Sequence, residues 1–70
     1  MKKDSLYKKA LKAINNQYEY ASLMDDFYGD NSREYEDQLK RWNAMIEITA
    51  EIFEIRNVDV IHDSVWMKQH

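Results

Sequence analysis

The chain has no cysteine and no proline, and Gly29 is the only glycine in its 70 residues. Without cysteine there are no disulfides and no thiolate metal sites. Without proline, and with one glycine, little interrupts a long helix. Nor does any apolar run approach the roughly 20 residues of a membrane span. Met1-Lys2-Lys3 is basic, but Leu6–Ile14 is broken by Lys8, Lys9 and Lys12, unlike the continuous apolar stretch of a signal peptide. The expectation is a soluble, cytoplasmic protein. This length holds one domain at most, read as residues 1–70. A core so small rarely supplies more than about 3–5 kcal/mol, and natural domains of this size add disulfides, a metal or a second subunit. With the first excluded, oligomerisation is the device that remains.

What the chain does have is helical periodicity. Tyr35, Leu39, Trp42, Ile46, Thr49 and Phe53 recur at alternating steps of four and three, which places one side chain per turn on the same side of an α-helix. Met45, Ile48, Ile52 and Ile55 form a second row beside it, with Glu47, Glu51 and Glu54 opposite. This helix should run over about 32–56. Glu36/Lys40 and Asp37/Arg41 support it as acid-before-base pairs one turn apart. An earlier helix should span about 5–28, capped by Asp4 or Ser5. Its broad apolar side runs from Leu6, Tyr7, Leu11 and Ile14 through Tyr18, Ala21 and Met24 to Phe27 and Tyr28. Its polar remainder centres on Lys8, Asn15, Glu19, Ser22 and Asp26. Both apolar arcs exceed the stripe of about 100° that one neighbouring helix requires.

Between them lies a turn at 29–31. Gly29 suits the left-handed residue that ends a helix. Asn31 with Glu34 reads as a capping box for the next helix, and Ser32 is an alternative cap. A connection this short makes the helices antiparallel. The segment 57–70 is ambiguous. Val58-Asp59-Val60 alternates like a strand, while Val58, Ile61 and Val65 fit a helical step. A bend near Asn57 followed by a short helix over Ile48, Ile52 and Ile55 fits best, with Asp63 or Ser64 capping its last turn. The expected architecture is all-α: an antiparallel helical hairpin with a short C-terminal helix, dimerising into a four-helix bundle through Met45, Ile48, Ile52 and Ile55. A three-helix monomer whose tail covers those isoleucines is the rival.

The formal charge of −3 is unevenly placed. Lys2, Lys3, Lys8, Lys9 and Lys12 face only Asp4 in residues 1–12. Glu19, Asp25, Asp26, Asp30, Glu34, Glu36 and Asp37 face only Arg33 in residues 13–37. Acids at the turn do not form a calcium loop. Starting at Asp25 puts Phe27 third and Gly29 fifth, and starting at Asp26 puts Tyr28 third, where oxygen ligands are required. His62, beside Asp59 and Asp63, has no second histidine or cysteine at ligand spacing. No phosphate-cradling glycine loop or nucleophile motif surrounds Ser5, Ser22, Ser32 or Ser64. No cofactor, metal or enzymatic activity is expected. A membrane-surface role for Leu6–Ile14 ranks low, because Tyr18, Glu19 and the acids beyond disfavour anionic lipid.

The remaining reading is a non-catalytic interaction module, a regulator, adaptor or inhibitor that occludes a larger protein. Tyr20, Tyr28 and Trp66, with Asp25, Asp26 and Asp30, are the candidate contacts, because Tyr and Trp serve interfaces that need a large apolar body with a polar tip. The alternative is a nucleic-acid-associated factor in which Lys3, Lys8, Lys9 and Lys12 meet phosphates. The acidic pI of about 5.2 and the scarcity of arginine weigh against it. The richness in Lys, Asn, Ile, Tyr and Glu suits the AT-rich genomes of bacteria and phages.

Overall fold

The computed structural model describes residues 2–69, with side chains described over 5–69. Among the described residues the chain is all-helical: α1 is Lys2–Tyr28, α2 is Arg33–Phe53 and α3 is Asn57–Gln69. At about 1.5 Å rise per residue, the 27 residues of α1 account for the 41 Å long axis of the molecule.

The helix stop expected at Gly29 is present, but the Asn31–Glu34 capping box is not. Gly29 adopts φ 92 and its N–H donates to the carbonyl of Asp25 at 2.8 Å, closing α1. Of the two candidate caps for α2, Ser32 is the one used. Its Oγ accepts from the Tyr35 N–H at 3.2 Å and donates to the Gly29 carbonyl at 2.6 Å. One hydroxyl thereby satisfies a first-turn amide of α2 and a carbonyl of the preceding turn.

α2 stops at Phe53, three residues short of the expected end. The Ile55 N–H donates to the Ala50 carbonyl at 3.0 Å and the Glu54 N–H to Glu51 at 3.4 Å. This paired closure is a Schellman motif, and it requires a left-handed residue. Glu54 fills that place at φ 56 and ψ 45, where glycine is usual. The chain turns over Glu54–Arg56 and re-enters a helix at Asn57.

α3 does not lie over Ile48, Ile52 and Ile55, as the sequence reading expected. It packs in the groove on the other side of the hairpin, where fully buried Val60 joins Leu11, Ile14, Ile46 and Ala50 in one core. The reason is the pattern of α3 itself. Its inward row is Val60, Ser64 and Met67 with Ile61 beside it, and Val58, Val65 and Trp66 face outward. Ser64 is buried inside the helix rather than capping a last turn, and its Oγ returns to the Ile61 carbonyl at 2.8 Å. A side chain this small lets α3 come close to its neighbours. Asn15, read as part of the polar face of α1, is half-buried at this junction, and its Nδ2 donates to the Ser64 carbonyl at 3.0 Å.

Candidate interaction surface

Two amides fix the orientation of α1. Gln17 marks the side that meets α2, because its Nε2 donates to the Gln38 carbonyl at 3.0 Å and to the Gln38 Oε1 at 2.8 Å. Asn15 marks the side that meets α3. At about 100° per residue, Leu6, Ala13, Tyr20 and Phe27 fall beyond Gln17, away from α3. All four are exposed, as is Leu23 beside them, and Phe27 reaches 75 %. On α2, Ile52 lies seven and fourteen residues beyond Met45 and Gln38, so it shares the Gln38 side. Ile48 is 56 % exposed and Ile52 66 %. One flank of the hairpin is therefore sealed by α3, while the other carries apolar residues from both long helices into solvent.

Each residue singled out in the sequence can now be placed. Ile48, Ile52 and Ile55 are exposed, whereas Met45 is half-buried against the core of its own chain. Tyr20 lies on the open flank. Tyr28, Asp26 and Asp30 are exposed at the turn end, and Asp25 beside them is partly buried. Trp66 is exposed on α3, on the opposite flank, so the six proposed contacts do not form one surface. Lys8, Lys9 and Lys12 are exposed on α1, and the side chain of Lys3 lies outside the described residues.

At the far end from the turn, the three helices meet around Tyr7. Its ring lies 5.0 Å from that of Phe53 in an edge-on arrangement, and its hydroxyl donates to Asp63 Oδ2 at 2.6 Å. Burial first, and the Asp63 hydrogen bond second, hold the Tyr7 pKa above its ordinary range. Next to this junction Arg56 grips exposed Asp59 with two nitrogens at 3.2 and 3.3 Å, which lowers the Asp59 pKa. Asp59 also sits in the first turn of α3, where the helix dipole favours an acid. His62 Nδ1 lies 3.7 Å from Asp63 Oδ1. No group of three or more potential ligands converges among the described residues.

A cleft of about 390 Å³ opens where α3 crosses the hairpin, lined by Asn15, Tyr18, Trp42, Ile61, Ser64, Val65, Lys68 and Gln69. The Tyr18 and Trp42 rings, 5.5 Å apart, form one wall. The Lys68 ammonium stands 5.8 Å from the Tyr18 ring centre and 4.0 Å from Glu19 Oε1. Among the described residues the lining carries no carboxylate and no histidine. Nothing in the sequence announces this cleft, since its residues come from positions far apart in the chain.

No helix among the described residues is long and apolar enough to cross a membrane. The chain matches no protein-family model, and comparison with curated proteins and with solved structures finds none similar to it.

Proposed function

We propose that this chain is a small non-catalytic interaction module of the cytoplasm. It self-associates through the open flank of the hairpin and presents the acidic turn to a larger protein. The observation that carries this reading is the exposure of Ile48 and Ile52 together with Tyr20, Leu23 and Phe27 on one side of the molecule. Apolar patches of this extent mark sites of association. Among the described residues α3, which could have covered them from within, is engaged on the other flank. Dimerisation through Met45, Ile48, Ile52 and Ile55 would convert two hairpins into a four-helix arrangement and bury the excess apolar arc. Tyr28, Asp26 and Asp30 at the turn would remain outside that contact, with Trp66 on the α3 flank, where a target protein could take either surface. A regulator of this kind acts by occlusion and needs no catalytic residue.

Size-exclusion chromatography with light scattering tests the first half. The wild-type chain is expected at twice its 8.5 kDa mass at micromolar concentration. Ile48→Ser with Ile52→Ser should return it to a monomer without loss of helical circular dichroism. A wild-type monomer at that concentration overturns the reading.

A further inference from the structure

Resting on that reading, we propose that the occupant of the open flank is a second copy laid antiparallel, with α1 running along α1 of its mate across a two-fold axis near Asn16. Leu6, Ala13, Tyr20 and Phe27 repeat every seven residues, all exposed. A seven-residue repeat keeps a continuous seam toward a partner helix. Reversing one copy sets Leu6 against Phe27 and the small Ala13 against the large Tyr20. Running the copies in the same direction would instead set Tyr20 on Tyr20 and leave a gap between the two alanines.

Charge selects the same arrangement. Lys12 lies along one edge of the seam in the first half of α1. Glu19 and Asp26 continue the same edge toward the turn. In the reversed pairing Lys12 approaches Glu19 of the second copy, and the basic start of each α1 lies along the acidic end of the other. In the same-direction pairing the two basic ends would lie side by side, as would the two acidic ends, an arrangement that costs affinity. Glu19 remains available for the reversed pairing, since its contact with Lys68 is between exposed groups at the 4.0 Å limit.

The rest of the flank fits. The Tyr7–Phe53 contact puts Leu6 and Ile52 at one height, so Phe27 of the second copy arrives beside both. Two helices side by side, each about 10 Å across, present on the order of 800 Å² over this length, the share each partner of a stable dimer buries.

The absence of cysteine makes cross-linking a clean test. Asn16→Cys should form a disulfide with itself. Leu6→Cys mixed with Phe27→Cys should give the mixed disulfide in preference to either symmetric one. Lys12→Glu should weaken self-association severalfold, as should Glu19→Lys. Mixing the two charge variants, or combining both changes in one chain, should restore it. Circular dichroism verifies that each variant is helical. A dimer in which Phe27→Cys links to itself, or in which the charge exchange restores nothing, overturns the antiparallel pairing and leaves the docking flank standing. A wild-type monomer overturns both.

Discussion

At the scale of single residues, the junction around Tyr7 ties pH to stability. Its phenol donates to Asp63 from a partly buried position, and both burial and that bond favour the neutral form. The unfolded chain releases the Tyr7 proton near its ordinary pKa of 10.0, whereas the folded chain holds it to higher pH. The stabilisation is thus complete below about pH 10 and is lost as pH rises beyond it. Urea unfolding followed from pH 8 upward should show the midpoint falling above about pH 10. Tyr7→Phe should lose about 1 kcal/mol at neutral pH and flatten the alkaline slope attributable to this phenol. An unchanged slope in the variant would assign the alkaline loss to other groups.

At the scale of elements, the end of α2 holds a visible cost. Glu54 occupies a left-handed conformation that an L side chain adopts at a penalty of about 1–2 kcal/mol. Because the Schellman closure requires that conformation, Glu54→Gly should stabilise the fold by about 0.5–1 kcal/mol in equilibrium denaturation, net of the added freedom of the unfolded chain. A destabilised variant would mean that the Glu54 side chain supplies an interaction worth more than the strain. This position also shows where sequence reasoning reached its limit. The stripe of Trp42, Ile46, Thr49 and Phe53 was legible because burial repeats every helical turn, and these residues do face inward. Gly29 was legible because it supplies backbone chemistry that few residues can, whereas Ser32 was only the alternative to Asn31, since adjacent Asn and Ser offer the same capping chemistry. The stop after Phe53 was not legible, because a glutamate gives no sign of a left-handed cap. The seat of α3 was hidden for a related reason. Its inward row contains Ser64, while Val58, Val65 and Trp66 imitate a core face and point outward. The burial of Asn15 depends on a carbonyl 49 residues away, which no local pattern encodes. The surplus isoleucines of α2 could be read from their periodicity, but the partnership of Leu6, Tyr20 and Phe27 with them required the placement of α3.

At the scale of the whole molecule, the core is small. Ile14, Ile46 and Val60 are its largest fully buried side chains, and a domain of this size retains only a few kcal/mol of stability. Self-association should supply a share of it by mass action. The melting temperature should therefore fall on dilution, and Ile48→Ser with Ile52→Ser should abolish that dependence while lowering the value measured at high concentration. Calorimetry over a dilution series reads both effects. The brevity of the Gly29–Ser32 connection carries a last consequence, for the order of folding. Closing α1 onto α2 spans little chain and incurs little entropy, whereas α3 must return to α1 across most of the sequence. A hairpin that closes first has both apolar sides open, and docking of the tail on one of them makes it one-sided.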